Sequence, residues 1–208
     1  MSKAKRTGTF KFILGTLWLK LNGWTFEGEF PKQGKCVLLC APHTSNLDFI
    51  YLLSIMFILR MKVSWIGKHT LFKKPFGGFM KWLGGIPVDR GKAHGVVDQI
   101  ASKFKENENL IIAITPAGTR KKTEFWKSGF YHIALKAQVP LLLGYADYAN
   151  KKAGTGPLLT PSGDISADMD IIRSFYSDIR GAQPENESRI LLREEIREKT
   201  DKSPGNYH

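Results

Sequence analysis

The sequence predicts an α/β protein with a largely parallel, mixed central sheet. Three continuous apolar runs, at residues 36–41, 110–115 and 139–145, are typical of strands that are covered on both faces. Helix-like segments lie between them, and strands that alternate with helices are characteristic of parallel α/β sheets. The 208 residues are enough for one hydrophobic core, and no stretch resembles an internal linker. We therefore expect a single domain over residues 1–208.

In the first part of the chain, the elements follow from local patterns. The N-terminal segment over 1–22 is basic and contains a short amphipathic stretch flanked by lysines. Asn46 follows the first buried run and is a favourable residue for capping a helix. We expect, in order, a helix over 10–21, strands at 25–30 and 36–41, a helix from Asn46 to about residue 60, and a strand at 63–67.

In the second part, Pro75 and four glycines over residues 73–85 predict a short helix and loop. Periodicity predicts helices before the last two buried strands, and the chain is charge-balanced and helical in pattern over 167–208. We expect a brief strand at 86–88, a helix over 93–106, a strand at 110–115, a helix over 127–137 and a strand at 139–145.

The charge of the chain predicts an anionic partner. Lys and Arg number 31 against 19 acidic residues, which gives a formal net charge of +12. Such a surplus is typical of proteins that bind nucleic acid or an anionic membrane surface. The base-rich stretches at 1–20 and 60–92 are also rich in Phe, Leu, Trp and Ile, a mixture that suits a membrane interface better than a nucleic-acid groove. We therefore expect an anionic membrane surface as a partner and no nucleic acid.

The hydropathy of the chain and its two cysteines indicate where in the cell the protein works. The longest apolar stretch, residues 49–59, is far shorter than the roughly 18–20 residues that span a bilayer, so we expect no spanning helix. Residues 10–21 lack a signal-peptide cleavage pattern and form either a helix docked on the core or an interfacial anchor. Cys36 and Cys40 would lie about 13 Å apart on a strand, too far for a disulfide, and free thiols suit a reducing cytoplasm. These features predict peripheral or monotopic association with the cytoplasmic face of the cell membrane.

The clearest candidate for chemistry is the pair His43 and Asp48, directly after the first buried strand. A histidine at a strand end faces an edge that is open to ligands and can act as a general base near neutral pH. Asp48 can accept the Nδ1 proton and leave Nε2 free to take a proton from a bound hydroxyl. The alternative is a strand-end histidine bonded to a helix-capping aspartate. The chain has no Gly-x-Ser-x-Gly elbow, and the other histidines have no spacing that suggests a metal site.

Two further motifs follow later predicted strands. Arg90 comes after one strand, and Gly118, Thr119 and Arg120 come after another. Arginine binds phosphate bidentately, glycine lets backbone amides approach an oxyanion, and threonine adds a hydroxyl donor. Because ligands gather at the carboxyl ends of strands, we expect both motifs to converge with His43. The alternatives are a surface ion pair for the first motif and a solvated basic loop for the second.

Four sequence blocks, taken in order, resemble those of the glycerolipid acyltransferase family. They are His-x4-Asp at 43–48, Gly-Gly-Ile-Pro-Val-Asp-Arg at 84–90, Thr-Pro-Ala-Gly-Thr-Arg at 115–120 and Val-Pro-Leu at 139–141. The resemblance covers residues 35–145, about half of the chain. It implies an α/β sheet with helices on both faces, as in glycerol-3-phosphate acyltransferase, and an enzyme that works at membranes.

The resemblance also implies a mechanism, with His43 as general base and Asp48 as its orienting partner. The acceptor hydroxyl would attack an acyl thioester directly, without an acyl-enzyme. Arg90 and the Gly118-Thr119-Arg120 loop would bind the phosphate of the acceptor, a lysophospholipid such as 1-acylglycerol-3-phosphate. The donor would be acyl-CoA or acyl-carrier protein, and neither a metal nor another cofactor is implied.

One position departs from the family pattern. The third block commonly has Glu before Gly-Thr-Arg, where this chain has Ala117. The missing carboxylate does not affect the His–Asp pair. It leaves the identity of the acceptor open, and another lysolipid, such as a lyso-aminolipid, is an alternative. Two other hypotheses remain: a non-catalytic membrane-binding member of the family, and a nucleic-acid-binding protein.

Overall fold

The computed structural model describes residues 8–29, 34–60, 62–88 and 93–201, so parts of the predicted segments 1–22 and 167–208 lie outside the described residues. Within these ranges there are seven strands: β1 (Thr25–Glu27), β2 (Lys35–Cys40), β3 (Val63–Lys68), β4 (Gly85–Val88), β5 (Leu110–Ile114), β6 (Leu141–Asp147) and β7 (Lys152–Leu159). They form one sheet in the order β1-β7-β6-β2-β5-β3-β4. The strands from β6 to β4 are parallel, whereas β7 is antiparallel to β6. The prediction of a largely parallel, mixed α/β sheet is confirmed.

Helices cover both faces of this sheet. The described residues form α1 (Thr9–Leu21), α2 (Leu47–Ile58), α3 (Gly77–Trp82), α4 (Ala93–Glu106), α5 (Gly129–Ala137), α6 (Ile165–Tyr176) and α7 (Arg193–Asp201). Successive residues of a strand point to opposite faces, and β2 uses both. Val37 and Leu39 pack in the core beneath α4, α5 and α6. Cys36 and Leu38 pack in a second core beneath α2. The arrangement that the family resemblance implied is therefore present.

The N-terminal helix α1 packs on α2 through a close backbone approach. A Cβ atom at Gly15 would lie 2.6 Å from the carbonyl oxygen of Ser54, so this contact requires glycine. Leu19 is buried in a cluster with Tyr51 and Ile55 of α2. The remainder of α1 exposes large apolar side chains, namely Phe10, Ile13, Leu14, Leu17 and Leu21. The helix is thus docked on the core and also presents apolar surface, and within the described ranges no helix is long and apolar enough to cross a membrane.

Two regions differ from the sequence prediction. Strand β7 was not expected, because its two glycines and Pro157 interrupt the apolar pattern of a buried strand. One of these glycines has a structural role, since a Cβ atom at Gly154 would lie 1.8 Å from the Glu27 carbonyl oxygen of the neighbouring strand β1. The C-terminal part is not helical throughout: residues 177–192 form an irregular segment between α6 and α7, with one 3-10 turn at Pro184–Asn186.

Candidate active site

The carboxyl ends of β2 and β5 bring two of the predicted motifs to one edge of the sheet. The two strands are parallel neighbours, with Leu39 in register with Ile114. His43 follows the end of β2 by three residues, and the loop that contains Gly118 follows the end of β5. Both loops therefore leave the sheet side by side. Arg90 lies outside the described residues.

The imidazole of His43 is paired with the carboxylate of Asp48. His43 Nδ1 lies 3.1 Å from Asp48 Oδ2, and Asp48 stands in the first turn of α2. The same oxygen accepts hydrogen bonds from the backbone amides of Thr44, at 2.8 Å, and Ser45, at 2.9 Å. With the carboxylate ionised, Nδ1 carries the ring proton and Nε2 keeps a lone pair. This arrangement has the geometry that a general base requires.

The electrostatics of the pair keep Asp48 ionised near neutral pH. Burial of the carboxyl group favours its neutral form and so opposes ionisation. Hydrogen bonds from His43, Tyr148 and the Ser45 amide outweigh that effect and lower the pKa of Asp48 below its ordinary value of 3.8. An ionised carboxylate is what holds the imidazole in the tautomer described above.

The start of α2 is built differently from the sequence prediction. Asn46 occupies the N-cap position, but its side chain makes no capping hydrogen bond. The hydroxyl oxygen of Ser45 accepts from the Leu47 amide at 3.1 Å instead. Asp48 accepts from the amides of Thr44 and Ser45 in the loop before the helix, so the carboxylate organises this loop as well as the imidazole.

The loop after β5 forms a tight turn beside this pair. Gly118 has a φ of +67°, a left-handed conformation that favours glycine, and its amide donates to the Thr115 carbonyl at 3.0 Å. The Thr119 hydroxyl oxygen accepts from the Lys121 amide at 3.3 Å, so this side chain stabilises the turn. Arg120 is exposed.

Arg120 shares an open depression with the His43 loop. The depression has a volume of about 620 Å³ and is lined by Thr44, Ser45, Asn46, Arg120, Lys121, Lys122, Gln183 and Asn186. Three of these residues are cationic and lie on the loop after β5. The structure therefore brings a basic group beside the histidine loop, as the motif positions predicted. An anionic group bound there would be adjacent to the His–Asp pair.

Several residues of this edge were missed by sequence reasoning. Tyr148, in the turn after β6, donates its hydroxyl to Asp48 Oδ1 at 2.6 Å. Thr44 Oγ1 accepts from the Gln183 amide at 3.1 Å, which ties the irregular segment 177–192 to the histidine loop. Both contacts join residues that are far apart in the chain, and their only sequence signal was that Tyr148 follows a predicted strand.

A second, smaller cavity is lined by His43 itself. It has a volume of about 40 Å³, and its lining includes His43, Ala117, Trp126, Tyr176 and Glu187. Glu187 Oε1 accepts from the Gly181 amide at 2.6 Å, which closes the loop that carries both residues. A carboxylate from the C-terminal segment therefore lies in the same cavity as Ala117, the position where the family pattern has Glu.

The cysteines and possible metal ligands complete the description of the site. Burial raises the pKa of the Cys36 thiol to about 12. Burial, together with the charge of Asp48, raises the pKa of the Cys40 thiol to about 12. Both thiols are therefore protonated at neutral pH and are poor nucleophiles. In the part of the chain that the structure describes, no group of three or more His, Cys, Asp or Glu side chains is placed to hold a metal ion.

The fold and this edge define a class: an α/β protein with a mixed sheet and a histidine–aspartate pair at a strand end. The sequence model of the acyltransferase family matches residues 24–142, more than half of the chain. The protein belongs to this family, which confirms the family resemblance. The matched region includes His43, Asp48, Arg90 and the 118–120 loop, and it ends before Tyr148.

Individual relatives agree with this assignment. The 1-acyl-sn-glycerol-3-phosphate acyltransferase of Haemophilus influenzae is 30% identical over 132 residues, which cover 59% of this chain and 53% of that protein. The enzyme of the same name from Escherichia coli K12 is 29% identical over 148 residues, covering 66% of this chain and 58% of that one. The chain thus spans somewhat more than half the length of these curated relatives.

A solved structure supports the fold. The crystal structure of the 1-acyl-sn-glycerophosphate acyltransferase from Thermotoga maritima superimposes with a TM-score of 0.54 and covers 94% of this chain and 80% of that one. The two sequences are 16% identical, so the likeness concerns the fold alone.

Proposed function

We propose that the protein is an O-acyltransferase that moves a fatty acyl group from a thioester donor to the hydroxyl of a lysophospholipid. The observation that carries the proposal is the oriented His43–Asp48 pair at the end of β2, in a chain of the acyltransferase family. The donor is acyl-CoA or acyl-carrier protein. The names of the bacterial relatives support 1-acylglycerol-3-phosphate as the acceptor.

In the proposed reaction, Nε2 of His43 takes the proton of the acceptor hydroxyl while its oxygen attacks the thioester carbonyl carbon. The tetrahedral intermediate then collapses, the carbon–sulfur bond breaks, and the departing thiolate takes the proton from the imidazolium. Asp48 fixes the ring tautomer and stabilises the imidazolium between these two steps. The ester and the free thiol leave, and the histidine returns to its starting state.

Direct attack without an acyl-enzyme is supported by the state of the cysteines. Cys36 lies within the sheet and has a pKa raised to about 12 by burial. Cys40 Sγ lies 3.7 Å from the Leu38 carbonyl oxygen, which accepts its weak hydrogen bond. A thiol that stays protonated is a weak nucleophile, so the acceptor oxygen is the attacking group in this mechanism.

The phosphate of the acceptor is proposed to bind in the depression beside the histidine loop. Arg120 is the main ligand, because a guanidinium can donate two parallel hydrogen bonds to phosphate. Gly118 and Thr119 shape the turn that presents it. Arg90 stays a predicted phosphate ligand. No cofactor or metal ion is part of the proposal.

A lysolipid with an amino headgroup is the second candidate acceptor. The observation that favours it is the Glu187 carboxylate in the cavity that His43 and Ala117 also line. An ammonium group can donate to such a carboxylate, whereas a phosphate would be repelled by it.

The proposed partner surface is an anionic membrane on its cytoplasmic face, bound peripherally by α1 and α3. Phe79 and Trp82 of α3 stack on each other at 5.8 Å and are 53% and 63% exposed. Lys11 of α1 lies over the Trp82 ring, with its Nζ 4.5 Å from the ring centroid, so the two helices share one surface. Exposed aromatic rings among lysines are favourable at an anionic lipid interface.

The decisive experiment for the reaction is product analysis by mass spectrometry. The purified protein is mixed with acyl-CoA or acyl-carrier protein and a panel of lysolipids, some of which carry a phosphate group and some of which do not. We expect one esterified product class, and we expect His43→Ala to reduce its formation by about 10²–10⁴-fold, the usual contribution of a general base. The matched control is His132→Ala, because His132 is exposed on α5 and pairs with Glu194. No product from any acceptor, or equal turnover by His43→Ala, contradicts the proposal.

The membrane proposal is tested separately by vesicle co-sedimentation. We expect Trp82→Ala to weaken binding to phosphatidylglycerol vesicles several-fold, since the ring is a large part of the exposed apolar surface. The matched control is Leu158→Ala, because Leu158 is 37% exposed on β7 and lies on a different element. Equal binding by both variants contradicts a role for α3.

A further inference from the structure

The two oxygens of the Asp48 carboxylate have different surroundings. Oδ2 accepts from the Thr44 and Ser45 amides and faces His43 Nδ1. Oδ1 accepts the hydroxyl of Tyr148 at 2.6 Å, a short, charge-assisted hydrogen bond. Asp48 is only 9% exposed, so water has little access to Oδ1. The orientation of the carboxylate plane therefore depends on a hydroxyl that reaches it from another part of the fold.

Tyr148 is held in place by three other parts of the chain. Its backbone amide donates to the Arg180 carbonyl at 2.9 Å, which anchors the turn after β6. Its ring packs edge-on against Trp24, at 4.9 Å, and against Tyr51, at 5.5 Å. Trp24 and Tyr51 stack on each other at 3.9 Å. The hydroxyl is thus aimed at Asp48 by a rigid aromatic cluster.

We propose that Tyr148 is a positioning residue for the reaction, which it assists by orienting Asp48 and, through it, the base His43. The inference rests on the proposed function of the His43–Asp48 pair. It adds a residue that lies beyond the end of the matched family region. Tyr148 does not contact substrate in this role; it acts on the carboxylate that fixes the imidazole.

Two effects follow from the geometry. The first is orientation: without the Tyr148 hydroxyl, Oδ1 loses its short hydrogen bond, and the carboxylate can rotate away from Nδ1. The second is charge: the hydrogen bond from Tyr148 lowers the pKa of Asp48, so its loss makes the carboxylate a stronger base. These two effects act on the imidazolium in opposite directions, so the test measures the orientation effect through kcat and the ring tautomer.

Among the residues that the structure describes, four other titratable groups interact with this carboxylate. Those that interact with Asp48 are His43 from its own loop, Cys40 at the end of β2, Tyr51 of α2, and Tyr148 from the turn after β6. The pKa of Cys40 is raised to about 12, chiefly by burial, and burial raises the pKa of Tyr51 above its ordinary value of 10.0. Both are therefore neutral at pH 8, so a tautomer measured at that pH reports on the His43–Asp48 pair.

The test compares Tyr148→Phe with Tyr145→Phe. Tyr145 lies on β6 and donates its hydroxyl to Glu27 at 3.1 Å, so the control also removes a tyrosine–carboxylate hydrogen bond, at an exposed site on another part of the sheet. We expect Tyr148→Phe to lower kcat about tenfold with little change in KM, as is usual for residues that orient a functional group. Tyr145→Phe should leave both unchanged.

A second variant keeps the hydrogen bond. Fluorinated tyrosine incorporated at position 148 keeps the ring and the hydroxyl but makes the hydroxyl more acidic, and therefore a stronger donor. We expect kcat to stay near the wild-type level in this protein. A loss in Tyr148→Phe that is absent here assigns the effect to the hydroxyl, whereas an equal loss in both proteins contradicts the inference.

A readout without turnover separates this inference from the proposed reaction. In protein with 15N-labelled histidine, NMR at pH 8 gives the fraction of the His43 ring that carries its proton on Nδ1. We expect this fraction to fall in Tyr148→Phe and to stay unchanged in Tyr145→Phe. If the wild type transfers no acyl group, the reaction is refuted while the tautomer measurement still tests Tyr148. If Tyr148→Phe keeps the wild-type kcat and the wild-type tautomer, the inference is overturned.

Discussion

The part of the chain that the family model matches and the part that follows it contribute differently to the candidate site. Residues 24–142 contain His43, Asp48 and the 118–120 loop. The following residues contribute the Tyr148 hydroxyl and the Glu187 carboxylate. His43 and Asp48 are five residues apart, whereas Asp48 and Tyr148 are one hundred apart. The proposed reacting groups are thus local in sequence, and the groups that orient and enclose them come from a distant part of the chain.

The largest effect is expected in the first part, from Asp48→Asn. An amide in place of the carboxylate accepts from Nδ1 weakly and cannot stabilise the imidazolium, so we expect kcat to fall by about 10²–10⁴-fold. Release of the free thiol from acyl-CoA measures the rate. The matched control is Asp98→Asn, because Asp98 is an exposed aspartate that pairs with Lys136. A loss of less than a few-fold would show that the local pair does not carry the chemistry.

An intermediate effect is expected from Arg120→Ala. Loss of a charge-assisted hydrogen bond to phosphate should raise KM for a phosphorylated acceptor about tenfold, while kcat changes little. Initial rates with phosphorylated and neutral lysolipids measure the difference. The control Lys105→Ala removes the same charge from an exposed position on α4. Equal changes for both acceptor types would argue that the depression does not bind phosphate.

A smaller effect is expected in the second part, from Glu187→Gln. The amide is a weaker acceptor for the Gly181 amide and carries no charge, so we expect KM for the acceptor to change about threefold. The direction identifies the headgroup: affinity rises for a phosphate and falls for an amine. Glu185→Gln is the control, because Glu185 is exposed in the same turn. A shift in the pH dependence of the rate in Glu187→Gln would mean that the part of the chain after residue 142 affects the reaction itself as well as the acceptor site.

The smallest effect concerns stability at acidic pH. The pKa of Asp48 is lowered below 3.8 in the folded protein, mainly by hydrogen bonds from His43 and Tyr148 working against burial. Its contribution to stability is therefore fully present above the unfolded pKa of about 3.8 and is lost as the pH falls through the folded value. We expect the difference in Tm between wild type and Asp48→Asn to be fully present at pH 5. It should narrow below pH 4, and a constant difference down to pH 2 would contradict the pKa assignment.

Much of the first part was predictable because its signals are local. The apolar run that forms β2, with His43 after it and Asp48 in the next helical turn, is contained in fourteen residues of sequence, 35–48. The position of the loop after β5 followed from the same logic, since parallel strands deliver their carboxyl ends to one edge. The capping role of Asn46 failed, because its backbone is already helical and the Ser45 hydroxyl accepts from the Leu47 amide instead.

The second part could not be predicted in the same way. Strand β7 owes its place to pairing with β6 and β1, and its glycines and proline conceal it from any local pattern. Tyr148 meets Asp48 because β6 is the neighbour of β2 in the sheet, which is a property of the strand order. The segment 177–192 folds over Thr44 through single hydrogen bonds that leave no periodic trace.

The close approach of α1 to α2 at Gly15 also fixes the distance between α1 and Asp48 along the axis of α2. Gly15 rests on Ser54, which is six residues after Asp48 on the same helix, a rise of about 9 Å along its axis. Because α1 is proposed to lie on the lipid surface, the length of α2 between Ser54 and Asp48 sets the distance of the His43 imidazole from the lipid. An acceptor that keeps its acyl chain in the lipid must bring its hydroxyl to that level. A single residue inserted into α2 before Ser54 would displace Asp48 by about 1.5 Å and turn it by about 100°.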